Sequence, residues 1–358
     1  MIPVTKPFLP DRDKFDRYID GIFERNWLTN HGPLVKKFED ELRDYLGVSD
    51  LLFVTNGTIA LQIAIKALNL KGEVITTPFS YVATTSSLVW EGCEPVYVDI
   101  DELTFNIDAS KIERAITSKT TAIVATHCFG NACDIDQIGE IASKHGLSVI
   151  YDAAHCFGTK YKGRSIFNYG DISVGSLHAT KVMHSVEGGL IVCNNKETLQ
   201  RASYMMNFGH DGFDKFNGVG INGKNSEFHA AMGLSVLDDI DVVLAKRKEQ
   251  CVLYDSLLND VFKSHSVQDQ CLFNYAYYPI VFESEDILLR VKKALESRQV
   301  FCRRYFYPSL NRLEYVGSFE APISERISKT ILCLPLYHTL TLKEQMQICE
   351  IIKYTLQQ

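Results

Sequence analysis

The sequence predicts an α/β protein, with a mostly parallel sheet covered by helices on both faces and a smaller α+β unit after it. Three observations carry this. From Leu51 to about residue 193, short apolar runs alternate with helix-length segments, the pattern of repeated strand–helix units. Some of these runs end in residues fit for chemistry, as Asp152 follows Val149-Ile150-Tyr151, and ligands of open α/β sheets gather at strand ends. After Leu237 the texture changes to charged helices with few strands. The boundary is placed there, giving a large unit over 1–237 and a small one over 238–358.

The N-terminal stretch through Lys6-Pro7-Phe8-Leu9-Pro10 is too rich in proline for regular structure. A helix is expected over 11–25, then a loop over 27–33, then an amphipathic helix over 34–46 closed by Gly47. A strand at 51–54 leads into a helix over 58–68, whose apolar residues cover most faces, as in a buried helix. The series continues with strand 74–76 and helix 81–90, strand 96–98 and helix 109–116, strand 122–125 and helix 135–145. Runs at 147–151, 172–177 and 190–193 complete the sheet. The small unit holds helix 244–258, strand 277–282, helix 287–298 and helix 343–356.

Composition narrows the function. The chain has 358 residues, 46% hydrophobic, with a formal net charge of −7, which offers no electrostatic reason to bind nucleic acid or an anionic membrane. No apolar run reaches the roughly 18 residues of a membrane span, and Met1-Ile2-Pro3-Val4 opens no signal peptide. A soluble, cytoplasmic protein is expected. The ten cysteines form no CxxC pair, so buried free thiols are expected and no metal site.

The stretch from Tyr151 to Asn195 carries the chemistry. Asp152, Ser176 and Lys181 stand at or just beyond the ends of apolar runs and would share one rim. An acid and an amine so placed suit pyridoxal phosphate, which needs a Schiff-base lysine and a carboxylate at its ring nitrogen. A surface lysine is the commoner fate of that residue type; the flanking apolar runs and Glu187-Gly188-Gly189 argue otherwise. Asn56-Gly57-Thr58, between a strand and a helix, could present N–H groups and a hydroxyl to a phosphate, although alone it reads as an ordinary N-cap. Tyr81 could lie against a ring or be a core aromatic, and His155 could bond a ring hydroxyl or be structural. His127, His178 and His184 are read as structural. Gly218–Asn225 approaches a phosphate loop, but Asn225 lacks the hydroxyl and no apolar strand precedes it.

Together these motifs resemble the DegT/StrS sugar aminotransferases, fold-type I pyridoxal phosphate enzymes that act on keto-sugar nucleotides. The resemblance rests on Trp27-Leu28-Thr29, Gly32-Pro33, Asn56–Leu61, Pro78–Thr84, Asp152-Ala153-Ala154-His155, Ser176–Lys181, Glu187-Gly188-Gly189, Gly220-Ile221-Asn222 and Ser226–Ala231. It implies that Lys181 forms the Schiff base and shuttles protons, that Asp152 holds the pyridinium and that His155 meets the ring hydroxyl. Tyr81 would stack on the ring. Gly57, Thr58 and Ser176 would bind the phosphate, with Asn222 reaching in from the second subunit of a homodimer. The implied reaction moves an amino group from L-glutamate to C4 of a 4-keto-6-deoxyhexose nucleotide, with dTDP-4-keto-6-deoxyglucose favoured and C3 amination as the runner-up. Its products would feed O-antigen and other surface glycans.

Two sections depart from the family pattern. Val182–Val186 replaces an Asn and a Thr-Gly run before Glu187, so sugar specificity is expected there. Lys224-Asn225 stands where many members carry Arg; Lys224, Arg303 and Arg304 are candidates for gripping the diphosphate, although a solvated surface charge is the commoner fate of each. Two rivals remain: a dehydratase of the same fold, which would carry histidine in place of Lys181, and a non-catalytic binding protein.

Overall fold

A computed structural model describes residues 1–262 and 265–358. Two amphipathic helices come first, α1 (Arg12–Arg25) and α2 (Pro33–Leu46). Alternation follows through β1 (Leu51–Val54), α3 (Gly57–Ala67), β2 (Gly72–Thr76), α4 (Val82–Trp90), β3 (Cys93–Tyr97), β4 (Thr120–Thr126), α5 (Ile135–His145) and β5 (Ser148–Asp152). A small hairpin, β6 (Lys160–Tyr161) and β7 (Arg164–Ser165), precedes β8 (Ile172–Ser176), β9 (Gly189–Cys193), α6 (Lys196–Met205), α7 (Glu227–Leu237) and α8 (Ile240–Leu258). The chain closes with β10 (Cys271–Leu272), β11 (Pro279–Val281), α9 (Glu285–Ser297), α10 (Pro322–Thr330), β12 (Ile331–Cys333) and α11 (Leu342–Leu356).

Seven strands form the main sheet in the order β1-β9-β8-β5-β4-β2-β3. All neighbours run parallel except β9, which is antiparallel to both β1 and β8. Gly189, the first residue of β9, therefore pairs with Ser176 at the end of β8 and with Val54 at the end of β1. A side chain at Gly189 would overlap the Asn56 carbonyl, so only glycine lets β9 start against the β1–α3 turn. Side chains alternate across the sheet as a two-residue period requires. Leu51 and Phe53 enter one core with Phe38, Tyr151 and Leu234, while Leu52 and Val54 enter the opposite core with Ala64 and Ile191.

A separate core gathers Ile280, Leu288, Leu332 and Ile348. Helix α8 is shared between cores: Ile240 and Val243 pack on the main sheet, Tyr254 and Leu258 in the second core. The expected boundary at 237/238 falls between α7 and α8. The N-terminal segment stitches the two regions. Ile2 bonds with Gln299 and Phe301, Leu336 N–H donates to the Val4 carbonyl, and His184 Nε2 meets the Phe8 carbonyl at 2.7 Å.

Some expectations are corrected. The helix expected over 109–116 is two single 3₁₀ turns, Ala109–Lys111 and Glu113–Ala115, because Asp108 caps the first and Ile112 drops into the core between them. A segment this short gains too few hydrogen bonds to repay α-helix nucleation. Helices α6, α7 and α10 were not foreseen; α7 is buried nearly all round, so it carries no amphipathic period. The buried Glu227 at its start accepts from the Leu34 and Val35 N–H groups, both at 2.9 Å, and so caps α2. Gly32 belongs to the same device, since a Cβ there would lie 2.7 Å from the Glu227 carboxyl carbon. Nine cysteines are buried, Cys271 is partly so, and all are free. Among the described residues no helix is long and apolar enough to cross a membrane.

Candidate active site

The carboxyl ends of the parallel strands and the β8–β9 loop open onto a cavity of about 480 Å³. Gly57, Thr58, Tyr81, Asp152, His155, Ser176 and Lys181 all line it, so the topology collects residues spread over 125 positions of sequence onto one rim. Asn222 does not line it. It stands exposed on an outer hairpin, bridged to Asn207, and its Oδ1 accepts from Lys224 Nζ at 3.0 Å.

Asp152 ends β5 and is buried. Its Oδ2 accepts from Thr84 Oγ1 at 2.7 Å and its Oδ1 from the Ala154 N–H at 3.1 Å. Burial raises its pKa, only partly offset by those two bonds and by the charge of Lys181. Lys181 acts on the carboxyl by its charge alone, with no ion pair to Asp152 within 4.0 Å among the described residues, so burial outweighs it. Thr84 is held in turn by Ser80 at 2.8 Å, and Ser80 by Thr126 at 3.0 Å, a relay of hydroxyls behind the acid.

Lys181 sits in a turn closed by its N–H to the His178 carbonyl. Burial lowers its pKa to about 8 against the opposing pull of Asp152, which makes the free amine accessible near neutral pH. His155 Nδ1 accepts from the Phe129 N–H at 3.2 Å, and its ring lies parallel to Phe306 at 5.7 Å. Burial holds its pKa well below the usual histidine value, with the Lys181 charge acting in the same direction. With Nδ1 accepting, the neutral ring carries its proton on Nε2.

At the start of α3, Asn56 caps the helix by accepting from the Ile59 N–H at 2.9 Å, and Gly57 and Thr58 beside it line the cavity. A side chain at Gly57 would lie 3.2 Å from Ser176 Cβ, so glycine allows the two segments to meet. These groups are neutral donors at a helix N-terminus, where the first N–H groups have no partner within the helix.

Sequence reasoning missed Thr84 and Ser80, and also Tyr277, Tyr305 and Phe306, which line the cavity as well; Arg303, weighed from the sequence only as a diphosphate contact or a solvated charge, lines it with them. His178, read as structural, lines the cavity with Nε2 3.6 Å from Glu187. His184 is buried against the Phe8 carbonyl. The 182–186 section, where sugar specificity was expected, lies outside this cavity lining; Val182 alone reaches a small adjoining cavity beside Lys181 and Tyr277.

A carboxyl-edge site holding a depressed lysine and a buried acid defines a cofactor-dependent α/β enzyme. The chain belongs to the DegT/DnrJ/EryC1/StrS aminotransferase family, whose model matches residues 11–353, and its cofactor is pyridoxal phosphate. It is 42% identical over 346 residues, 94% of each chain, to a dTDP-4-amino-4,6-dideoxy-D-glucose transaminase of Shigella dysenteriae. A transaminase of the same name from Escherichia coli is 37% identical, covering 98% of both chains. A GDP-perosamine synthase of Escherichia coli O157:H7 is 30% identical over 98% of this chain. Among solved structures, DesI in the presence of its TDP-sugar product superposes with a TM-score of 0.94 at 31% identity, covering 99% of this chain and 92% of that one.

Proposed function

We propose that this enzyme moves an amino group from L-glutamate to C4 of a nucleotide-linked 4-keto-6-deoxyhexose, dTDP-4-keto-6-deoxyglucose first among them. The observation that carries the reading is near-full-length similarity to two dTDP-4-amino-4,6-dideoxy-D-glucose transaminases in a chain whose cavity holds Lys181 and Asp152 together.

The donor set suits pyridoxal phosphate. Gly57, Thr58 and Ser176 would hold the phosphate, Asp152 the ring nitrogen, and His155 Nε2–H the ring oxygen, while Tyr81, half exposed at the rim, would cover a ring face. When bound, the cofactor supplies an aldehyde that carries the nitrogen and a ring that withdraws electrons from the adjacent carbon. Lys181 Nζ takes the proton from the nitrogen-bearing carbon of the donor and returns one to the acceptor, work suited to an amine with a pKa near 8. Asp152, charged against the ring nitrogen, would keep that nitrogen protonated. Thr84 and the Ala154 N–H hold the carboxylate in line.

We further propose a cytoplasmic homodimer of two-unit chains, 1–237 and 238–358, in which Asn222 completes the partner's phosphate site. The hairpin that bears Asn222 exposes Phe208, Phe213, Phe216 and Val219, an apolar surface larger than a solvated loop needs. The product would serve surface-glycan synthesis.

The test is incubation of purified protein with pyridoxal phosphate, L-glutamate and a panel of 3- and 4-keto sugar nucleotides, with products assigned by NMR. A C4 amine on the dTDP sugar is expected. A C3 amine would overturn the regiochemistry, and glutamate-dependent turnover by Lys181→Ala would overturn the mechanism.

A further inference from the structure

We infer that Arg303 is the receptor for a carboxylate of the amino donor, an assignment that rests on the aminotransferase reading above. Arg303 and Arg304 are consecutive, and the fold treats them oppositely. Arg304 is neutralised, with Nη2 2.6 Å from Glu285 Oε1 and 3.1 Å from the Lys329 carbonyl. Arg303 has no carboxylate within ion-pair distance among the described residues, and it lines the cavity that holds Lys181. Its backbone is fixed, since its N–H and carbonyl both bond to Cys333 on β12 at 3.3 and 2.8 Å. Its guanidinium lies 4.9 Å from the centre of the Tyr305 ring, which restrains the fork before any ligand arrives.

The charges around the cavity leave this group unassigned. Lys181 faces Asp152, and Glu187 faces His178. The phosphate end is made of neutral donors, Gly57, Thr58 and Ser176. Arg303 is the one guanidinium among the described lining residues. A planar fork matches a carboxylate in two parallel hydrogen bonds. An α-amino acid carries its carboxylate one bond from the carbon that Lys181 must deprotonate, whereas the diphosphate of a sugar nucleotide is separated from C4 by the pyranose ring. A cation on the wall of the reacting cavity therefore suits the amino acid.

Arg303→Gln and Arg303→Lys test this in the holoenzyme. The glutamate half-reaction is followed by cofactor absorbance, the second half-reaction by enzyme loaded with pyridoxamine phosphate and given the keto-sugar nucleotide. Binding of glutarate, a dicarboxylate with no amine to transfer, is measured by calorimetry. For Arg303→Gln we expect the apparent glutamate dissociation constant to rise on the order of 10–100-fold, the loss of a charge-assisted hydrogen-bond pair. Glutarate affinity should fall alike and the sugar-nucleotide half-reaction should stay within about twofold, with the lysine variant intermediate. Unchanged glutamate and glutarate affinities would overturn the inference, as would a larger loss toward the sugar nucleotide, which would assign Arg303 to the diphosphate. If the wild type itself fails to convert with glutamate, the functional reading falls, while glutarate binding still judges Arg303.

Discussion

Replacing Thr84 by valine isolates the hydroxyl on which Asp152 depends. Valine keeps the shape and removes Oγ1, the donor 2.7 Å from Asp152 Oδ2, while the Ala154 N–H at 3.1 Å stays. Ser80 keeps its bond to Thr126 at 3.0 Å, so the relay behind is not emptied. A hydrogen bond to a charged group contributes about 1.5–3 kcal/mol, and every 1.4 kcal/mol or so is tenfold in an equilibrium constant. Burial already raises the pKa of Asp152; without the hydroxyl the ionised form is disfavoured further, at the moment the cofactor's ring nitrogen needs it. Equilibrium titration of the apoprotein with pyridoxal phosphate should show a dissociation constant raised on the order of 10–100-fold. Thr84→Ser, which retains the hydroxyl, should stay near wild type. Equal cofactor affinity in all three proteins would refute the reasoning, because Asp152 would then be indifferent to its shortest contact.

Glu227→Ala should destabilise the fold by roughly 2–5 kcal/mol in urea unfolding at fixed protein concentration, because it orphans two buried N–H groups at the start of α2; a loss below about 1 kcal/mol would discard the capping account. Gly189→Ala should weaken cofactor binding or abolish soluble folding, since its Cβ meets the Asn56 carbonyl, whereas Gly139→Ala, which meets nothing, should be neutral or slightly stabilising. The apoprotein should show a pH signature at Asp152. Its folded pKa is raised, so the folded state holds the proton more tightly and stability is lost as pH rises from the ordinary carboxylate range through the raised value. The stability gap between Asp152→Asn and wild-type apoprotein should therefore widen in the mutant's favour over that window; a gap constant with pH would contradict it.

Much of the sheet was legible because buried strands are short apolar runs and their chemistry sits where the runs stop. Asp152 and Ser176 close β5 and β8, and Lys181 follows in the loop, so parallel topology alone delivers them to one edge. Thr84 and Ser80 left no such mark: hydroxyls around the start of a short helix look like capping residues until the fold shows the acid behind them. Arg303 and Tyr305 were harder still. They lie over a hundred residues beyond Lys181, on a segment paired through isolated bridges, Val300 to Ile2 and Arg303 to Cys333, and nothing local says which of two adjacent arginines turns inward. The 182–186 section was conspicuous as a departure in sequence, yet most of it is buried, with His184 committed to the Phe8 carbonyl. An unusual sequence there answers first to packing.

The N-terminal stitch has a consequence for how the molecule comes into being. Residues 2–8 are made well before their partners at Gln299, Phe301 and Leu336. On a ribosome this segment must wait, unpaired, until those distant partners emerge. Through Phe8 and His184 that same segment braces the loop three residues beyond Lys181. The brace on the lysine loop is thus itself anchored only after those late partners have emerged, which ties the setting of the reactive centre to the synthesis of residues 299–336.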